Sequence, residues 1–280
     1  MLLELAIADA YGAGFEYVSS QIIRERNDLS GYVEHPRHQI KPGCYTDDTQ
    51  MSIAIAEAIV EQEAWTPEVL AEKFVTAFKR DPREGYASRF YDFLLNIGDG
   101  REFLQKIIPT SDKSGAAMRA APIGVFPTIE KVLEAATMQA KITHNTPDGI
   151  NAAKAVALMS HYFIYKLGSK SKLGKFIETY IPGEWSKPWQ GKVKSKALMS
   201  VRAAITAVMR NHSLSQLLKD CISFTGDVDT VAAIALGAGS CSEEIEKDLP
   251  SHLIETLENN AYGRDYIIDL DKQLMSIATC

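Results

Sequence analysis

Along most of the chain apolar residues recur every three or four positions, and strict apolar/polar alternation is scarce, so the pattern predicts helices nearly throughout. Candidate helices run at 2–11, 49–63, 67–80, 86–97, 116–125, 128–142, 148–167, 172–181, 194–211, 214–223, 229–239, 251–259 and 264–276. An all-α multi-helix bundle follows, with residues 1–280 expected to form a single domain. Two segments, Met51 to Ile59 and Val231 to Gly239, are apolar around most of their circumference and are expected at the centre of the bundle. A third, Ile150 to Tyr165, carries few charges, and Thr146-Pro147 ahead of it reads as N-cap and first helical residue.

Glycine and proline cluster at 28–46 and 182–192, the likeliest long loops, and the first runs directly into an acidic cluster. Such a loop serves either as a lid or substrate wall, or as a surface connection. No fixed-period repeat or low-complexity tract interrupts the chain.

Composition narrows the class. With 46% hydrophobic and 24% charged residues and a net charge of −6, the chain is an ordinary globular protein without the basic footprint of a nucleic-acid binder. Lys187, Lys192, Lys194 and Lys196 read as a solvated loop turning into a helix. Cys44, Cys221, Cys241 and Cys280 lack Cys-x-x-Cys spacing, which argues against a zinc ribbon or dithiol motif and for reduced thiols in a cytoplasmic protein. The apolar N-terminus includes Glu4 and Asp9 and no basic segment, unlike a signal peptide, and no run approaches the length of a membrane span. A monomer that engages neither membrane nor nucleic acid is expected.

Two clusters, Thr46-Asp47-Asp48-Thr49 and Asp227-Val228-Asp229-Thr230, lie about 180 positions apart, each opening one of the apolar central helices. Either alone is explained by helix capping and the helix dipole. Adjacent Asp47 and Asp48 exceed what one cap requires, and the second cluster weakens that explanation further. Brought together, four carboxylates repel one another unless a cation lies between them. Carboxylates and hydroxyls without His or Cys are hard ligands suited to Mg²⁺, Mn²⁺ or Ca²⁺, and their number suggests more than one ion.

Ser114-Gly115-Ala116-Ala117-Met118-Arg119 is a small-residue turn opening a helix, where N–H groups and Arg119 would suit a phosphate, or where a tight start simply packs on a neighbour. Thr143-His144-Asn145-Thr146 joins two helices, a common structural place for histidine. His161, Tyr162 and the aromatic residues near 185–189 are expected to pack on helix faces.

Taken in order, Ala8-Asp9-Ala10-Tyr11-Gly12-Ala13-Gly14-Phe15-Glu16, Tyr45-Thr46-Asp47-Asp48-Thr49, Ser114 to Ala120, Thr143-His144-Asn145 and Thr225 to Ala233 resemble the ADP-ribosylglycohydrolase family, over nearly the whole chain. The family includes dinitrogenase reductase-activating glycohydrolase and the ADP-ribosyl-acceptor hydrolases. The resemblance implies an all-α fold with two Mg²⁺ or Mn²⁺ ions in a central cleft. It also implies hydrolysis of the bond between ADP-ribose and an acceptor on a protein or small molecule, read here as ADP-ribosyl-arginine or a related N-glycosidic linkage. Matched by position, Thr46, Asp47, Asp48, Asp227, Asp229 and Thr230 are the implied metal ligands. Glu16, Asp47 and Asp48 are the implied catalytic carboxylates, and Ser114, Gly115, Ala116, Met118, Arg119 and His144 the implied wall for the diphosphate and adenosine.

Ala8, Gly14, Ser114 and Val228 depart from the usual motif without removing a proposed ligand, and leave the acceptor open between arginine, serine and small metabolites. Arg80-Asp81-Pro82-Arg83-Glu84-Gly85-Tyr86 also resembles a stretch of some bacterial members, with Asp81 and Glu84 as further candidates. A helical di-magnesium enzyme acting on diphosphates would repeat its acids along the helix, whereas Ser52 and Ala233 follow Asp48 and Asp229. The remaining rival is a non-catalytic ADP-ribose-binding protein of the same fold.

Overall fold

The computed structural model describes residues 1–278, and Cys280 lies outside them. Fifteen α-helices and no named strand are found among the described residues. The centre is α13 (Val228–Gly239), a helix buried all round, packed against α1 (Leu2–Ala13), α3 (Asp47–Val60), α9 (Pro147–Ile164), α11 (Ala197–Arg210) and α12 (Leu214–Ser223). Helices α1 and α3 are likewise buried around most of their circumference, so the three central helices pack through small apolar residues and gather most of their polar side chains at the starts of α3 and α13. The closest approach is at Gly12, where an added Cβ would lie 2.5 Å from the Cα of Asp229, so only glycine lets α1 reach the start of α13.

The outer helices follow their sequence signals. Thr66-Pro67 opens α4 (Pro67–Arg80), Thr128 opens α8 (Ile129–Lys141) and Thr146-Pro147 opens α9, each threonine accepting from the backbone three residues on. Two helices outside the predicted set are α2 (Ser20–Arg26) and α6 (Gly100–Lys106). Both have seven residues, and they bury one and two residues, too few to leave a periodic trace. The helix predicted over 116–125 divides instead into α7 (Gly115–Met118) and a 3₁₀ turn (Ala121–Val125). Pro122 has no N–H to return to the Met118 carbonyl, which accepts from Ser52 Oγ at 3.3 Å. Lys194 and Lys196 precede α11, which begins at Ala197, later than the pattern predicts.

His161, Tyr162 and Trp185 pack as expected: all three are buried, with polar atoms bonded to the carbonyls of Gly124, Ser169 and Ile181. Lys187 and Lys196 pair with Glu184 and Asp112 respectively, so the basic loop is in part neutralised locally. No helix among the described residues is long and apolar enough to cross a membrane.

Gly12→Ala is expected to force α1 and α13 apart and lower stability by roughly 1–3 kcal/mol, measured by denaturant unfolding. Unchanged stability would show that the two helices separate freely there.

Candidate metal centre

The two acidic clusters meet, although neither caps its own helix: Thr46 and Asp227, the N-cap residues of α3 and α13, make no side-chain capping bond. The cap of α3 comes from another helix. Asp9, fully buried on α1, accepts from the Thr46 and Thr49 backbone N–H groups at 2.9 and 3.0 Å and from both threonine hydroxyls at 2.6 Å. With those donors satisfied, α3 begins at Asp47, two residues earlier than predicted, and Asp47 and Asp48 stand in its first turn free of capping duty.

The start of α13 is shaped by Thr225 and Gly226, both at positive φ (63° and 97°). The turn is gripped through its backbone. Val193 donates to the Thr225 carbonyl (3.0 Å) and accepts from Asp227 N–H (3.2 Å), while Tyr17 N–H donates to the Gly226 carbonyl (2.9 Å). Asp227 then accepts from Ser200 on α11 (3.2 Å) and from Ser114 at the start of α7 (3.4 Å). Thr230 donates to Asp48 at 3.5 Å, a direct link between the clusters.

Glu16, just beyond α1, completes the group: one carboxylate oxygen each from Glu16, Asp227 and Asp229 lie within 4.8 Å of one another. The buried oxygens Asp48 Oδ1 and Asp229 Oδ1 have no hydrogen-bond partner. Orphaned, desolvated carboxylate oxygens in an all-oxygen cluster are what a hard divalent cation needs and what a merely structural acid avoids. The residues therefore fit a metal ion.

The electrostatics agree. Burial, then the charge of Asp9, raises Asp47 and Asp48 well above the usual carboxylate range. Burial, then Glu16 and Asp227, does the same to Asp229, and Asp227 is pushed up to about 7 by burial and Glu16. Glu16 is the exception: burial would raise it, but His35 and Arg37 outweigh that and hold it ionised below its ordinary value. Of the α3 pair, Asp47 keeps access to solvent and Asp48 does not.

The segments expected to hold substrate are partly here. Ser114 and Gly115 stand at the cluster's edge, and an added Cβ on Gly115 would lie 2.9 Å from the His144 ring, so the turn and the imidazole are in contact. Burial and the Arg119 charge pull His144 down to about 3, so it is neutral near pH 7. Ala116 and Met118 are buried, and the Ala116 carbonyl accepts from Gln139 (2.9 Å). Arg119 does not stand with the cluster. It is buried beneath α7, bonded to Gln139 and Thr143 and laid 4.3 Å over the Phe74 ring, where it braces the turn from below.

Asp81 and Glu84 do not join the carboxylates either: Asp81 pairs with Arg83, and Glu84 accepts from Gln39 N–H. Their loop approaches the site through Gly85, at φ +112°, where a Cβ would lie 2.5 Å from Asp47 Oδ1.

Asp9, Arg83 and Gly85 fall inside the motif stretches, which assign them no role, and Ser200 falls outside them; a further signal for Asp9 is a carboxylate inside a mostly apolar helix.

The family profile described as ADP-ribosylglycohydrolase matches residues 1–279. ADP-ribosylarginine hydrolase Tri1 of Pseudomonas putida is 23% identical over 295 residues, covering 96% of this chain and 78% of that protein. ADP-ribosylhydrolase ARH3 of Xenopus tropicalis is 29% identical over 170 residues, 58% of this chain, and the match spans about half (48%) of that protein's length. A solved structure, "ADP-ribosylglycohydrolase-related protein complex", superposes with a TM-score of 0.74 at 21% identity, over 99% of this chain and 96% of that one, a likeness of fold. With its motifs in order and the profile spanning residues 1–279, the chain belongs to the ADP-ribosylglycohydrolase family.

Proposed function

We propose that this protein is a cytoplasmic hydrolase that releases ADP-ribose from arginine side chains, using Mg²⁺ or Mn²⁺, with two ions held by Thr46, Asp47, Asp48, Asp227, Asp229 and Thr230. The observation that carries the reading is the convergence of Glu16, Asp227 and Asp229, joined to Asp48 through Thr230, in one acidic cluster with two orphaned carboxylate oxygens. The arginine acceptor is supported by the relative named for that substrate, which matches nearly the whole chain. The buried carboxylates also attract a cationic acceptor.

Hydrolysis at the anomeric carbon passes through an oxocarbenium-like state, whose positive charge the surrounding carboxylates stabilise. Ions held by these residues would orient the ribose hydroxyls and offset the charge of the neighbouring carboxylates. Asp47, half-buried in the first turn of α3 where Asp48 is fully buried, takes the proton from the attacking water. The water oxygen bonds to C1″ as the C1″–N bond breaks, and the proton taken by Asp47 passes to the departing guanidine nitrogen. Ser114, Gly115, Ala116, Met118 and His144 form the wall beside the diphosphate and adenosine, with neutral His144 contributing a hydrogen bond instead of charge. Arg119 acts from beneath by holding α7.

ADP-ribose release from ADP-ribosyl-arginine and ADP-ribosyl-serine peptides is the direct assay. Release from the arginine peptide with Mg²⁺, stopped by excess chelator, is expected; release from serine alone would reassign the acceptor, and metal-dependent ADP-ribose binding without release would replace catalysis by binding. Asp47→Ala and Asp229→Ala should each lower turnover by about 10²–10³-fold with helix content kept, as read by circular dichroism. Full turnover in both would remove them from the site.

The raised carboxylates also set a pH dependence. Their folded pKa values exceed the ordinary 3.8, so the metal-free fold binds extra protons between about 4 and 7 and loses stability as pH rises through that window. Asp229→Asn, which removes one charge, should therefore gain Tm over the natural chain as pH rises from 4 to 7 without metal. A gap that shrinks with pH would contradict the repulsion.

A further inference from the structure

Arg37, on the loop between α2 and α3, has a half-exposed side chain (50%) whose guanidinium donates to Glu16 Oε2 and lies 4.8 Å from the centre of the Tyr17 ring. That Glu16 carboxylate is one of the three converging with Asp227 and Asp229. A guanidinium group is thus seated on a carboxylate and an aromatic face at the edge of the cluster where the ribose carbon is proposed to react. We propose that Glu16 and Tyr17 form the acceptor subsite, and that Arg37 occupies it in place of the acceptor guanidinium until the substrate displaces it. The proposal rests on the arginine reading of function.

Three features favour it over a purely structural pair. First, the combination is the one that recognises guanidinium, a charge-assisted bond to a carboxylate with the planar group against an aromatic ring. Second, the seat is built without Arg37. Tyr17, at φ 56°, is anchored by its backbone bond to Gly226, in the turn that sets Asp227, and Glu16 Oε2 also lies 3.3 Å from Nε2 of the buried His35. Third, Arg37 is free to leave. Its backbone N–H is held by His35 Nδ1 at 3.0 Å, which fixes the loop, while the side-chain contacts shown are those to Glu16 and Tyr17. An exposed pair of this kind is worth about 1 kcal/mol or less, so an acceptor delivered on ADP-ribose outcompetes it. The acceptor guanidinium would need the same Glu16 Oε2 and Tyr17 ring that Arg37 occupies, so the two compete for one seat.

The test uses agmatine, a guanidine without the sugar, titrated calorimetrically into the full chain with and without Mg²⁺, with 1,4-diaminobutane as the ammonium control. Arg37→Ala is expected to bind agmatine about 5-fold more tightly than the natural chain, the factor that corresponds to losing a competitor of about 1 kcal/mol. Tyr17→Phe, which keeps the ring, should bind as the natural chain does, and Tyr17→Leu several-fold more weakly. In turnover, Arg37→Ala should lower KM for the ADP-ribosyl-arginine peptide and leave KM for a serine peptide unmoved. Agmatine affinity that is unchanged or weaker in Arg37→Ala, in a chain that still hydrolyses the arginine peptide, overturns the subsite and leaves the proposed function standing. Hydrolysis of the serine peptide alone, by the natural chain and by Arg37→Ala, rejects the arginine reading and this proposal with it.

Discussion

The buried carboxylate of Asp9 is the constraint on which the site depends. Four hydrogen bonds from Thr46 and Thr49 tie the middle of α1 to the first turn of α3. Burial alone raises Asp9, and the four donors oppose that shift, so the interaction holds only while all of them stay in place. In consequence Asp47 and Asp48 are relieved of capping and turned toward α13. A helix start ordinarily recruits its own acids; here a neighbouring helix supplies the cap, and the local acids are left over for a cation.

Around that tie the other segments approach by backbone more than by side chain. Gly12 lets α1 touch α13, Gly85 lets the 81–86 loop touch Asp47, and Gly226 lets the turn before α13 be clasped between Tyr17 and Val193. Close approach concentrates negative charge beyond what the fold would tolerate alone, which is the physical case for a bound cation. Arg83 holds the outer side: buried, it bonds to Asp81, Glu258 and the Tyr45 carbonyl and lies 3.5 Å over the Tyr45 ring, fixing the residue that precedes Thr46. It therefore positions the cluster without touching it.

The phosphate-side wall is assembled in two layers. Ser114 and Gly115 face the cleft, and Arg119, Gln139 and Thr143 lie under them in a closed hydrogen-bond chain that also reaches His144. Thr143 accepts from Arg119 and lies 2.7 Å from His144 Nδ1, so the imidazole is tied into the same chain, and burial beside the Arg119 charge keeps it neutral. The same motif read on sequence alone pairs Arg119 with phosphate, because the pattern shows that an arginine is present and not which way a four-residue helix turns it.

By itself the sequence determined the helical class, two of the central helices, the cap at Thr146, the two acidic clusters and the family, since each is written in local periodicity or in short ordered motifs. Short helices such as α2 and α6, the break at Pro122, and the roles of Asp9, Arg83 and Arg37 were decided only in three dimensions. Their partners lie between about 20 and 175 positions away or on a different helix, and no local pattern records which distant donor a buried charge will find.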